Sequence, residues 1–511
     1  MPVEFLPAAV RSQFGHFVEA PSPMQLAHHF HLDGADRERL AQYRSDHNRL
    51  GYALQLGTVR FLGTFATDLA EVPDSVVWYV SDQLEIADPV ACLRLYANVD
   101  TQRRHARDIR EAYGYHQFHE QPYHFTLTRW LLARAWLGGE RPIVLFDGAT
   151  GWLVERKVLL PGASVLERLV ARARSRADTR VWRLLSAAPD ADQKARLKLL
   201  LKIDDTGQSK LDTLRRAPRR LSSRELVRAL NRLTEIRTLG ASALDLNRIP
   251  ARRIRMLARY AAAARAQAIA RMPEEHQIAT LVAFAREYEV LAQDDALDLF
   301  DLLLAKLLNE ARDDGQRERL KTLGDLDEAA MTLARACQML LGEGDETTDI
   351  REAIFAQVPR DELLGALETV DAISRPQDDL YYDQLAERYR TVRHFLPTFL
   401  KALQFESVDT ARGVIRALDF LASIEGKRAP DMGKAPLGVV TGRWRPLVIR
   451  PDGQVDRTAY TFCVLDQLRA HLRRRDVFVS PSYRWIDPRA KLLSGKQWES
   501  LRPSICRSCL R

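Results

Sequence analysis

Cysteine is scarce in this chain, with five in 511 residues, at positions 92, 337, 463, 506 and 509. An odd number without framework spacing excludes a disulfide scaffold and fits a reducing cytoplasm. Cys506-x-x-Cys509 has no second pair to complete a zinc site. Long apolar runs are missing as well. The greasiest stretch, LDLFDLLLAKLL, is interrupted by Asp298 and Asp301 and falls short of the ~20 residues that cross a bilayer. The start, MPVEFLPAAV, lacks the basic head and apolar core of a secretory signal. Neither a membrane partner nor a secreted location is expected.

Catalytic signatures are equally thin. The sequence has no Walker-type phosphate loop, no G-x-S-x-G elbow and no H-E-x-x-H. Three partial signals remain. His28, His29 and His31 cluster, but adjacent helical histidines point about a hundred degrees apart and no carboxylate pattern completes a shell. Asp147 ends the strand-like PIVLFD before Gly148, as a first carboxylate of a two-metal site would. No second strand carries a matching acid, so a turn role is the reading. Asp294, Asp295, Asp298 and Asp301 fall at helical spacing among Leu and Phe, which makes them a charged, solvated face. No catalytic or metal-binding residue is assigned, and no cofactor or small-molecule substrate is expected for this chain.

What the sequence does have is concentrated positive charge. Residues 168–271 hold 26 lysines and arginines against 9 aspartates and glutamates, a surplus of 17 in a chain of net charge +8. The remainder therefore sums to −9. One basic block in an otherwise acidic protein is the footprint of a polyanion partner.

Helical periodicity dominates, and the length calls for several domains. The expected fold is mainly α, built of multidomain helical bundles, with a small β-hairpin element near 142–160 and a short strand near 443–450. The expected divisions are 1–155, an N-terminal helical domain with a DNA-binding role; 156–271, the basic helical DNA-binding domain; 272–425, an acidic scaffold or dimerisation region; and 426–511, a basic linker. Helices are expected over 23–30, 34–65, 75–84, 89–113 and 126–137. In the basic block, Ser222 and Glu225 form a capping box, Leu226, Leu230 and Leu233 share a face, and Gly240 closes the helix. Arg224, Arg228 and Arg232 stack beside that apolar face. Pro250 then opens a second basic helix over 251–272. The pair suggests a helix-turn-helix-like reader, and two packed bundle helices would look the same.

Several longer strings carry a resemblance. DHNRLGYALQLGTVRFLGTF (46–65), MPVEFL at the start, PSPMQLAHHFHLD (21–33), KVLLPGASVLERLV (157–170) and LRRAPRRLSSRELVRALNRLTEIRTLG (214–240) all resemble transposases of the Tn-three family, the class II replicative transposons. So do AREYEVLAQDDALDLFDLLL (285–304), RHFLPTFL (393–400) and AYTFCVLDQLRAHLRRRDVFVSPSYRWIDPRAKLLSG (459–495), in the order the family shows. The resemblance implies a protein that binds double-stranded DNA at terminal inverted repeats and pairs the ends as a homodimer. In the family, cleavage and strand transfer belong to a later RNase-H-like domain whose three carboxylates hold magnesium. That domain normally follows DPRAKLLSG, and this chain ends sixteen residues later. The expectation is a chain truncated before the catalytic domain, cytoplasmic and nucleoid-associated, with magnesium needed only by the missing part. The alternative is a non-catalytic helical scaffold, or a regulatory fragment without specific DNA binding.

Guanidinium groups bind phosphates and guanine edges bidentately, so arginine-rich helices are the first DNA-contact candidates. These are Arg215, Arg216, Arg219 and Arg220 around Pro218, with Arg224 and Arg228 on the next helix. Arg252, Arg253, Arg255 and Arg259 follow Pro250. In the N-terminal domain they are Arg44, His47, Asn48, Arg49 and Arg60, where Asn48 either pairs with adenine or caps a neighbour inside a core helix.

Overall fold

The computed structural model describes residues 5–492, apart from 97, 206, 322, 342–349, 374–380 and 429. The fold is mainly α. The one sheet among the described residues pairs β1 (Glu406–Ser407) with β2 (Val477–Phe478), antiparallel. The chain forms two compact units: 1–194 with 244–284, and 195–243 with 285–511. No helix among the described residues is long and apolar enough to cross a membrane.

The first unit is organised around α3. In chain order its main helices are α1 (Pro23–His29), α2 (Gly34–Leu40), α3 (Asp46–Leu62), α4 (Val99–Tyr113), α5 (Tyr123–Gly138), α6 (Pro142–Glu155) and α7 (Ala163–Ala187). Every residue of α3 from Leu50 to Val59 is buried, so this helix is core on all sides. Two glycines make that possible. A Cβ on Gly51 would sit 2.4 Å from the Tyr96 ring, and one on Gly57 would sit 2.3 Å from Phe30. Buried polar groups around α3 are satisfied in place. Asp36 accepts two hydrogen bonds from Arg60 at 2.8 Å and one from the Tyr113 hydroxyl at 2.7 Å. Burial opposes ionisation of Asp36, but the Arg60 and Tyr113 hydrogen bonds outweigh it and hold the carboxyl below its usual range. A second core joins α5, α6 and α7 through Leu127, Leu131, Leu145, Leu153, Leu166 and Val170.

The described elements of the second unit that matter here are α8 (Ser223–Arg237), the part of α10 (Glu274–Lys321) beyond residue 284, α11 (Tyr389–Ala402) and α12 (Arg457–Arg474). The remaining basic helix, α9 (Ala251–Ala263), belongs to the first unit and packs on α5.

Several local expectations are overturned. PIVLFD opens α6 and is not a strand: Pro142 takes the first helical turn, and Leu145, Phe146, Ala149, Trp152 and Leu153 bury one face. A short apolar run cannot distinguish a strand from the start of a 3.6-residue period. Asp147 is accordingly exposed in mid-helix rather than at a turn. The place of a hairpin near 142–160 is taken by that helix and one isolated bridge, His116 to Val158. GRWRPLVI is a 3-10 turn, Gly442–Trp444, followed by the helical turn Arg445–Val448. Buried Trp444 anchors it, donating its indole N–H to Asp466 at 3.1 Å.

Three long helices also divide. The stretch 34–65 breaks between Leu40 and Asp46, and 89–113 breaks after Leu95, where Asn98 caps the amides of Asp100 and Thr101. The basic helix expected over 251–272 splits into α9 and Ala266–Ala270, a turn that buries Ile269. The capping box at α8 forms only in half. Ser222 accepts from the Glu225 amide at 3.3 Å, while the Glu225 carboxylate turns to the Arg219 amide. Gly240 does adopt the left-handed conformation, at φ +75°.

Candidate nucleic-acid interface

The structure sorts the arginines by what the fold places opposite them. In the second unit, the segment 213–219 and α8 enclose a cleft of about 480 Å³. Its lining includes Arg216, Arg219, Arg228, Arg232 and Asn231. Arg219, Arg220 and Arg224 are exposed. Arg228 is exposed and leans on Glu225 at 3.2 Å, and Arg216 reaches Gln208 at 2.9 Å. Arg215 is partly buried and paired with Asp212. Asn231 is exposed three residues beyond Arg228, so α8 presents Arg224, Arg228 and Asn231 on one side. Asn231 was not singled out from sequence, although its spacing from Arg224 and Arg228 was there to read.

Arg232 does not continue the basic stripe as expected. Its side chain is 9% exposed and donates to Asp295 at 3.3 Å from two nitrogens, and to the Arg216 carbonyl at 2.8 Å. Its Nε, buried, has no partner. Arg237, on the same helix, is held by Glu289, Gln293 and the Ala402 carbonyl. Asp295, Glu289 and Gln293 belong to an acidic edge of α10 that is not solvated as expected. Asp294, buried, accepts from the Ser482 hydroxyl and from the amides of Tyr483 and Arg484 at 3.0 and 3.3 Å. Burial raises its pKa above the ordinary carboxylate value, against the pull of the Ser482 and Arg484 contacts. Asp295 and Asp298 grip Arg484, Asp298 accepts from the Trp485 indole at 2.8 Å, and Arg469 lies 2.8 Å from Asp301. The acids pair with cations and N–H groups. No group of three or more His, Cys, Asp or Glu side chains among the described residues is placed to hold a metal ion.

In the first unit, Arg252, Arg255 and Arg259 are exposed on α9 at spacings of three and four, hence on one face. Arg253 points the other way, is buried, and pairs with Asp178 of α7. The basic helices α8 and α9 fall in different compact units. At α3, Arg44 is exposed before the helix, while His47 and Asn48 are half-buried in its first turn. Arg49 pairs with Asp46 at 3.1 Å and Arg60 is locked on Asp36. The histidines near α1 pack as a helix end: His29 lies edge-on to Phe61 at 5.3 Å, and burial lowers its pKa. Sequence reading also passed over α7, whose exposed positions include Arg168, Arg172, Arg176, Arg180 and Arg183.

The architecture and its surfaces define a mainly helical, arginine-faced protein without an assembled metal centre among the described residues. A family model described as a domain of unknown function (DUF4158) matches residues 5–173. The transposase for transposon gamma-delta of Escherichia coli (strain K12) is 42% identical over 510 residues, covering 99% of this chain and 51% of that protein. The transposase for transposon Tn4556 of Streptomyces fradiae is 35% identical over 59% of this chain and 36% of its own length. That for transposon Tn501 of Pseudomonas aeruginosa is 27% identical over 93% of this chain and 48% of its own. The homologues of this chain are Tn-three family transposases. The chain spans about half the length of most of the curated relatives it matches.

Proposed function

We propose that this chain binds double-stranded DNA at the terminal inverted repeats of a replicative transposon and supports the pairing of those ends in DNA transposition. The observation that carries the reading is the cleft beside α8. Arg216, Arg219 and Arg228 line it, with Asn231 among them and Arg220 and Arg224 exposed nearby. Arginines suit phosphates and guanine edges, and asparagine suits the adenine edge, so one surface carries both anchoring and base-reading groups. The kinship with transposases supplies the DNA context. DNA binding and assembly are the roles assigned to these residues, and no strand chemistry is assigned to any of them. Self-association as a homodimer is assigned to the region 272–425, where Met331, Leu340, Phe355, Leu364 and Leu367 are exposed.

The test is a fluorescence-anisotropy titration of the 511-residue chain on the element's inverted repeat and on a scrambled duplex, at two salt concentrations. Preference for the repeat that persists at the higher salt is expected. Equal, salt-labile binding to both duplexes rules out specific reading, and no binding to either favours a helical scaffold.

A further inference from the structure

The outward side of α7 has a composition that its sequence does not display. The helix carries six arginines and two acids between Ala163 and Ala187. Both acids point inward. Glu167, 1% exposed at its side chain, accepts from the amides of Phe5 and Leu6 at 3.0 and 2.8 Å and from Arg11 at 3.0 Å. Asp178 is taken by Arg253 of α9. What remains exposed is Ser164, Val165, Arg168, Arg172, Ser175, Arg176, Arg180, Arg183 and Ala187. Thus five cations and no carboxylate occupy the exposed positions of a helix of 25 residues. Among the described residues, no carboxylate pairs with Arg172, Arg176 or Arg183. Arg168 donates to its own helix at Ser164, and Arg180 lies over the Trp136 ring at 4.8 Å, which holds its guanidinium in place.

We propose that this face of α7 is a second, sequence-independent binding surface for the phosphate backbone of duplex DNA, separate from the cleft beside α8. It rests on the DNA-binding reading above. Steps of four residues separate Arg168, Arg172, Arg176 and Arg180, each advancing roughly 6 Å along the helix. With Arg183 the row extends over roughly 22 Å. A comb of that length fits a linear polyanion of regular charge, and a duplex presents one charge per ~1.7 Å of its axis. An anionic membrane is a poorer match, because Val165 is the one large apolar side chain exposed on this helix. The exposed positions carry no Asn, Gln, Asp or Glu, side chains that pair with adenine or cytosine edges. The regular four-residue row follows evenly spaced phosphates rather than particular bases, so its arginines are assigned as backbone anchors.

The experiment measures binding of the full chain to the inverted-repeat duplex and to a scrambled duplex of equal length, across a salt series. The proteins are wild type, R172A/R176A, R172K/R176K and R219A/R220A, with circular dichroism to verify folding. R172A/R176A is expected to weaken binding to both duplexes by the same factor and to flatten the log–log salt slope by about two, since each phosphate contact contributes roughly 0.9. The lysine variant is expected to keep the slope. R219A/R220A should instead reduce the preference between the duplexes. An unchanged slope in R172A/R176A, with wild type binding DNA, overturns the α7 surface and leaves the cleft standing. A drop confined to the inverted repeat overturns its sequence independence. Loss of all DNA binding in wild type removes the DNA reading itself.

Discussion

Helices α7 and α8 look alike as sequence: both are amphipathic, both are rich in arginine and both carry two acids. The fold uses them in opposite ways. On α7 the acids turn inward, to the Phe5 and Leu6 amides, Arg11 and Arg253, so five arginines are left facing water. On α8, Arg232 and Arg237 turn inward onto Asp295, Glu289 and Gln293, while Arg224 and Arg228 stay outside. An arginine is a cross-link or an anchor according to whether a carboxylate shares its low-dielectric side, and that is a property of the partner element. Breaking a buried pair strands a charge, whereas an exposed arginine loses little but its field.

That contrast predicts effects of very different size. The largest is at Asp36, fully buried beneath Arg60. Arg60→Ala is expected to cost about 3 kcal/mol, because it leaves the buried Asp36 carboxylate without a counter-charge and held only by the Tyr113 hydroxyl and the Asp33 amide, and thermal unfolding will register it. Asp36 is held below the usual carboxylate range by Arg60 and Tyr113 against the cost of burial. Its contribution is therefore complete above the unfolded-state pKa and is lost as pH falls through the lower folded-state value. Wild type should show that acid-side loss, and Arg60→Ala should show less of it.

Next is Arg232→Ala, expected to destabilise by about 2 kcal/mol through its lost hydrogen bonds to Asp295, which keeps Arg484, and to the Arg216 carbonyl. Denaturant unfolding checks it, and a shift below half that size would place Arg232 with the exposed anchors. Smallest is Arg224→Ala, expected to change stability by less than about 0.5 kcal/mol. Its DNA salt slope should nonetheless fall by roughly 0.9. A stability loss comparable to that of Arg232 would erase the distinction.

Much of the helical framework was legible from periodicity, caps and punctuation. Ser222 starts α8, Gly240 ends the segment in a left-handed turn, and Pro250 immediately precedes α9. The breaks near residues 41–45 and after Leu95 were not legible, since apolar spacing runs through both. The strand expected at PIVLFD failed because six residues carry too little period to separate β from α. The acids on α10 could be found by spacing, but not the residues they bind. Their partners, Ser482, Arg484 and Trp485, lie nearly two hundred positions away.

Among the candidate DNA contacts, residue type could not separate Arg60, Arg232 or Arg253 from their exposed neighbours. Arginine content, the +17 block and the helical period are properties of the chain alone. Composition and local periodicity therefore determined by themselves that this is a mainly helical protein with a concentrated basic segment. Which guanidinium groups remain free was decided only when distant elements packed. An ion pair needs its two charges within a few ångströms, and no local pattern specifies which distant carboxylate will arrive.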